Sequence, residues 1–332
     1  MKITFFSAKP YDKESFVHAN ECYGFEYEFF ETELNAATAE VIQNSIAICA
    51  FVNDQLNRQV LEVLATKGVK IIALRCAGFN NLDIEAAHEL GIRVCRVPAY
   101  SPEAVAEHAL AMIMTLNRKT HKAYNRVREQ NFSLQGLLGF NLYQKTVGVV
   151  GTGNIGKAFC RMMLGMGCRV LAFDLVADKS LEAEGVVFLP LITLLQQSDI
   201  ISLHCPLNEQ TTHLIDQQTI PFMKKGVMII NTGRGKLIDT KDCIDALKTG
   251  HIGYLGIDVY EQEEKLFFKD LSSHIIQDDM IQRLMSFPNV LVTAHQAFFT
   301  KEALEQIAMV TLDSIEKLGK GEPPATNGAL VV

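Results

Sequence analysis

Residues 146–174 read TVGVVGTGNIGKAFCRMMLGMGCRVLAFD, and the order of features in them decides the fold. TVGVV is a continuous apolar run, as expected of a strand covered on both faces of a parallel sheet. Gly151, Gly153 and Gly156 follow in G-x-G-x-x-G spacing and open the helical pattern KAFCRMMLGMG. Gly151 permits a tight turn, Gly153 lets the backbone approach a pyrophosphate, and Gly156 lets the helix lie close on the strand. The helix N-terminus adds unpaired N–H groups and a positive dipole end. The next run, CRVLAFD, closes on Asp174, 23 residues after Gly151. An acid there hydrogen-bonds ribose hydroxyls and repels a 2′-phosphate, and no Arg or Lys follows until Lys179. The reading is a dinucleotide site for NAD rather than NADP.

Outward from this stretch the same alternation continues. KITFFSA, YEFFE, SIAICAF, VKIIALRC and IRVCRVP precede it, separated by helical spacings such as Leu56, Val60, Leu61, Leu64. After it come VVFLP, DIISLHC, GVMIINT, YLGIDVY and NVLVTAH. Strand–helix repetition of this kind argues for βαβ units and a doubly wound α/β fold. About five strands before and seven from TVGVV onward suggest two such units, in line with a length of 332 residues. The pattern breaks at Pro98, where Ser101-Pro102-Glu103 reads as N-cap, first helical position and first-turn acid. An apolar-striped helix follows to about Arg118, and a last helix is expected from Lys301.

A net charge of −7 without a basic block speaks against nucleic acid and anionic membrane as partners. No run approaches the roughly 18 apolar residues of a membrane span, and the N-terminus has no signal-like stretch, so a cytoplasmic protein is expected. The eight cysteines show neither C-x-x-C pairs nor zinc spacing. Free thiols buried in apolar runs are expected, as for Cys49 and Cys205, and no metal site.

Ligands of open α/β sheets bind beyond the carboxyl ends of strands. Three ionisable residues fall there: Arg234 after GVMIINTG, Glu263 after GIDVYEQ, and His295 after NVLVTA. Arginine offers a planar fork for a carboxylate, histidine exchanges a proton near neutral pH, and a carboxylate beside the ring would hold it in place. With a nicotinamide these are the parts for hydride transfer on a 2-hydroxy or 2-oxo acid. Each has a plainer reading: a strand-end histidine is commonly structural, EQEEK is a plausible solvated loop, and only Arg234, between two glycines, resists dismissal.

Taken together, VGVVGTGNIG with LAFD, LHCPL, NTGRGKLID, GIDVYEQE, TAHQAFFT, the early loop LRCAGFNNLD and VPAYSPEAVAEHALAMIM resemble the NAD-dependent D-2-hydroxyacid dehydrogenases over nearly the whole chain. Within that family the resemblance is strongest to the fermentative D-lactate branch. It implies Arg234 on the substrate carboxylate, His295 as acid/base and Glu263 as its partner. It implies backbone N–H groups of Cys76, Ala77 and Gly78 on the substrate carboxylate, with Tyr100 near by and Phe298 and Phe299 over a small substrate side chain. Asn154, Ile155, Asp174, Cys205, Pro206, Thr211, Thr232, Gly233 and Asp258 would line the cofactor with the three glycines. The implied organisation is discontinuous. A flavodoxin-like substrate domain would comprise 1–99 plus 300–332 and a Rossmann cofactor domain 100–299, with hinge closure around the bound acid. The implied activity is reversible reduction of pyruvate by NADH to D-lactate in a homo-oligomer, a dimer or tetramer.

Two rivals are weighed. One is a relative acting on a bulkier 2-oxo acid, its pocket set by Tyr100, Phe298 and Phe299. The other is a non-enzymatic NAD-sensing corepressor of the same fold, since fold alone does not establish function.

Overall fold

A computed structural model describes residues 1–332, the side chain of Lys265 excepted. The chain divides into two compact units, residues 1–101 with 299–332 and residues 102–298.

The first unit is built on a parallel five-stranded sheet: β1 (Lys2–Phe5), β2 (Glu26–Phe29), β3 (Ala47–Ala50), β4 (Ile71–Leu74) and β5 (Arg93–Arg96). Their spatial order, β2-β1-β3-β4-β5, is the flavodoxin-like winding. All four residues of β3 and of β4 are buried, which is why these runs read as continuously apolar rather than alternating. The C-terminal segment belongs to this unit. The helix Lys301–Gly319 packs on β4 and β5, and Val94 N–H donates to Val332 O at 3.1 Å.

The second unit holds β6 (Thr146–Val150), β7 (Arg169–Phe173), β8 (Val187–Phe188), β9 (Ile200–Leu203), β10 (Val227–Asn231), β11 (Ile252–Ile257) and β12 (Val290–Val292). The order β12-β11-β10-β9-β6-β7-β8 is parallel throughout, with β6 and β9 adjacent at the point where winding reverses. Alternate residues of each run feed separate cores. Val147, Val149, Val170, Ala172, Met228 and Ile230 join one cluster, whereas Val150, Leu171, Leu203, Val227 and Ile229 join another. Two-sided burial of one sheet produces both clusters and leaves the strand ends as the place where polar side chains can gather.

The expectation of two doubly wound parallel sheets is met. The cysteine expectation needs one correction. Cys49 is buried, but Cys205 is only partly so, because it lies beyond the last residue of β9, where the chain leaves the sheet. Cys22 is exposed. Among the described residues no helix is long and apolar enough to cross a membrane.

Candidate active site

The glycine turn after β6 is closed beneath and open above. Gly151 adopts φ +92°, and a β-carbon there would lie 2.5 Å from Cys205 N. At Gly156 it would lie 2.0 Å from Gly151 O, so no larger residue fits between turn and helix. Gly153 differs: among the described residues, its chain neighbours aside, nothing lies within 4 Å of the β-carbon position, which leaves bare backbone facing outward. The helix Asn154–Gly165 starts from Gly153 without a side-chain cap, so the first-turn N–H groups, those of Asn154 and Ile155 among them, remain for an anion.

Asp174 stands at the end of β7. Its Oδ2 accepts from Thr152 N–H (2.6 Å) and Thr152 hydroxyl (2.9 Å), and its Oδ1 from Leu175 N–H (2.7 Å). Burial pushes this carboxyl up, but those hydrogen bonds outweigh it and hold the group below the usual carboxylate range. A charged, oriented acceptor beside the turn suits a ribose.

Beyond β9, Pro206 and Thr211 shape one small loop. The Thr211 hydroxyl donates to Pro206 O at 2.7 Å, so it closes its own loop. Beyond β10, buried Asn231 templates the next turn: its Nδ2 donates to Arg234 O (2.9 Å) and its Oδ1 accepts from Gly233 N–H (3.1 Å). Within that turn the Thr232 hydroxyl oxygen is buried and has no hydrogen-bond partner among the described residues. Closed floor, bare Gly153, uncapped helix, anchored acid and orphaned hydroxyl together fit a dinucleotide.

The three ionisable residues converge on adjoining loops. Gly235, next to Arg234, packs so closely on Tyr260 that a β-carbon would lie 2.2 Å from the Tyr260 carbonyl carbon. The Arg234 turn and the Tyr260–Glu263 turn are therefore held as one surface. Glu263 Oε2 accepts from Tyr260 N–H at 2.8 Å, and its Oε1 lies 2.9 Å from His295 Nδ1. An ionised carboxylate only accepts, so Nδ1 carries the hydrogen and Nε2 is the nitrogen left to exchange a proton. His295 itself sits at φ 52°, a left-handed conformation that costs a non-glycine residue roughly 1–2 kcal/mol.

Asp258, read as a cofactor-lining residue, is wholly buried and grips the histidine's segment. Its carboxylate accepts from Thr293 hydroxyl (2.5 Å), Gln296 N–H (2.9 Å) and Ala297 N–H (2.9 Å). Burial drives the Asp258 carboxyl up, and hydrogen bonds from His108, Thr293 and the two amides bring it below the usual range. Phe298 is buried at the end of this segment.

Several residues here carry no mark of their role in the sequence. Thr152 holds Asp174, and Tyr260 fixes Glu263 while its hydroxyl sits 2.9 Å from both oxygens of Asp278. Phe268 places its ring 5.9 Å from the imidazole of His295. Position in the apolar strand-end text was no signal for any of them, because their roles depend on loops meeting in space.

In the first unit, the turn after β4 carries Cys76, Ala77 and Gly78. Its carbonyl oxygens are engaged: Cys76 O by Val97 N–H (3.2 Å), Ala77 O by Arg96 Nη1 (2.8 Å) and Gly78 O by Cys76 Sγ (3.2 Å). Tyr100 is half-buried. Phe299 is half-exposed and meets Tyr11 edge-on, with ring centroids 4.7 Å apart.

Residues 110–297 match the family model for the D-isomer specific 2-hydroxyacid dehydrogenase, NAD binding domain. The chain belongs to the D-2-hydroxyacid dehydrogenases. Full-length relatives agree. D-lactate dehydrogenase of Escherichia coli (strain K12) is 53% identical over 322 residues, covering 97% of this chain and 98% of that protein. The apo-structure of the E. coli enzyme superposes with a TM-score of 0.92 at 50% identity, covering all of both chains. The structure of the pyruvate reductase of Chlamydomonas reinhardtii gives a TM-score of 0.94 at 44% identity over 98% of each chain. As a member of the family this dehydrogenase is an NAD-binding oxidoreductase acting on small 2-hydroxy acids, as the motif set implied.

Proposed function

We propose that this dehydrogenase reversibly reduces pyruvate to D-lactate with NADH. The observation that carries the reading is the Glu263–His295 pair at 2.9 Å, on a loop surface shared with the Arg234 turn. Relatives named for D-lactate and a fold neighbour named for pyruvate support the choice of acid.

Arg234 binds the substrate carboxylate through its fork. His295 Nε2 delivers a proton to the keto oxygen as it becomes a hydroxyl, and takes it back in the reverse direction. Glu263 holds the ring in the productive tautomer and stabilises the protonated form. NADH, when bound, supplies the hydride. Gly151, Gly153, Asn154, Ile155 and Gly156 would hold its pyrophosphate, Asp174 its adenine ribose, and Cys205, Pro206, Thr211, Thr232, Gly233 and Asp258 the remainder. The unit formed by residues 102–298 is accordingly assigned to the cofactor. The other unit is assigned to substrate recognition by Cys76, Ala77, Gly78, Tyr100 and Phe299, with Phe298 contributed from the end of the cofactor unit.

A cytoplasmic homo-oligomer completes the proposal. Exposed Phe132, Leu134 and Leu138 form an apolar segment suited to contact between copies.

The test is a panel of 2-oxo acids assayed with NADH and NADPH, with product chirality determined. Pyruvate should give the highest kcat/KM and D-lactate as product. A maximum at 2-oxoisocaproate or phenylpyruvate, or an L product, would overturn it. Asp174→Ala should raise the NADPH/NADH ratio of kcat/KM; an unchanged ratio would refute the ribose assignment.

A further inference from the structure

We infer that His108 is a positioning residue for the acid/base histidine, acting through Thr293 and Asp258. The inference rests on the reading of His295 as that acid/base. His108 lies on the helix Pro102–Arg118, which packs against β10, β11 and β12. Its Nε2 is 3.1 Å from Thr293 Oγ1 and 3.4 Å from Asp258 Oδ1.

The direction of these hydrogen bonds is fixed by proton count. The Thr293 hydroxyl has one hydrogen, and at 2.5 Å it is given to Asp258 Oδ1. Towards His108, Thr293 can then only accept, so His108 Nε2 carries a hydrogen. The result is an ordered chain of donors from His108 to Thr293 to the Asp258 carboxylate, which also accepts from the amides of Gln296 and Ala297. Asp258 also accepts the His295 N–H on its own carbonyl at 2.7 Å. One residue thus holds both sides of a histidine kept at φ 52°.

An aliphatic side chain at 108 would leave the half-buried Thr293 oxygen without its donor and take one partner from an Asp258 carboxylate that has no exposure at all. The Asp258 carboxylate could then turn, and the 295–297 backbone would lose its fixed point. A core histidine serving packing alone has no need of this directed pair.

The experiment compares His108→Leu, His108→Gln, Thr293→Val, Thr293→Ser and the double variant His108→Leu/Thr293→Val, with His295→Gln as control. His108→Leu and Thr293→Val should each lower kcat about tenfold, the scale of lost support behind a functional side chain. NADH affinity by nucleotide fluorescence should stay within about twofold. His108→Gln and Thr293→Ser, which keep a donor and a hydroxyl, should recover most of kcat, and the double variant should be no worse than its poorer parent. Wild-type kcat in His108→Leu beside an inactive His295→Gln would overturn the inference alone, as would fully additive losses. A fully active His295→Gln would instead remove the acid/base reading. Should His108→Leu fail to fold, Thr293→Val against Thr293→Ser decides the matter.

Discussion

Glu263 reaches His295 with one carboxylate oxygen while the other takes the N–H of Tyr260, at 2.9 and 2.8 Å. The ring is thus referred to main chain three residues before its partner, not to a side chain that could swing away. Glu263→Gln keeps the shape and an acceptor but removes the charge that stabilises a protonated ring. Its amide can also present N–H to Nδ1 and favour the wrong tautomer. Turnover should fall on the order of 10²-fold, the lower end of what a positioned acid/base contributes, with KM for NADH little changed. Steady-state kinetics in both directions check this; full activity would separate the pair from the chemistry.

Gly156 and Gly153 share a motif but predict different effects on stability. A β-carbon at Gly156 must displace Gly151 O, a backbone atom 2.0 Å away. Gly156→Ala should therefore lose about 1–3 kcal/mol of stability as well as NADH affinity. Gly153 has φ −63° and open space, so Gly153→Ala should unfold like the parent, within about 0.5 kcal/mol. It should still weaken NADH, because the methyl group occupies the path of the pyrophosphate. Denaturant melts paired with nucleotide titrations separate the two effects. Parent-like NADH affinity in Gly153→Ala would show that the cofactor takes another route.

The sheets were legible because two-sided burial writes itself into the text. Val147, Val149 and Val150 serve opposite faces, so no polar alternation interrupts the run. Arg234, Glu263 and His295 were legible as strand-end residues, and the glycine turn through its spacing. Asp258 was legible as a strand-end acid, but the grip of its carboxylate on Thr293, Gln296 and Ala297 was not. That orientation depends on the loop after β12 meeting the residue just past β11, which no local pattern records. His108 was invisible for a similar reason: on its helix it is one polar residue in an apolar stripe, and its partner lies 185 positions away.

Asp258 also predicts a pH dependence. Its folded carboxyl lies below the unfolded value of about 3.9, so it contributes stability above that pH. The contribution is lost as pH falls through the folded value. Asp258→Asn replaces one acceptor oxygen by a donor facing N–H groups, and the loss of hydrogen bonds to a charged acceptor should cost about 2–3 kcal/mol at pH 7. The stability gap between parent and variant should therefore be constant from about pH 5 upward and narrow below about pH 4. Urea melts across that range measure it. A gap that widened on acidification would contradict the assigned direction.

A last prediction concerns the support beneath the Cys76–Gly78 turn. Arg75, 2% exposed, is among the largest wholly buried side chains. Its Nε lies 3.3 Å from Asp12 Oδ1, its Nη2 donates to Ser7 O at 2.8 Å, and its guanidinium lies over the Phe51 ring at 4.8 Å. Asp12 has a second duty, since its Oδ2 accepts the Lys9 N–H at the start of the helix Pro10–Ala19. Removing one partner of a buried pair strands the other charge, so Asp12→Ala should cost about 3–5 kcal/mol. Replacing both, as Asp12→Leu/Arg75→Met, removes the uncompensated guanidinium and should recover part of that loss, the remainder reflecting buried Asp54, which also loses the attraction of Arg75. Stability and catalysis then part company. Arg75 directly precedes Cys76, so the double variant should regain part of the lost urea midpoint yet keep a raised KM for the 2-oxo acid. A double variant with parental KM would show that the pair stabilises the first unit without placing the turn.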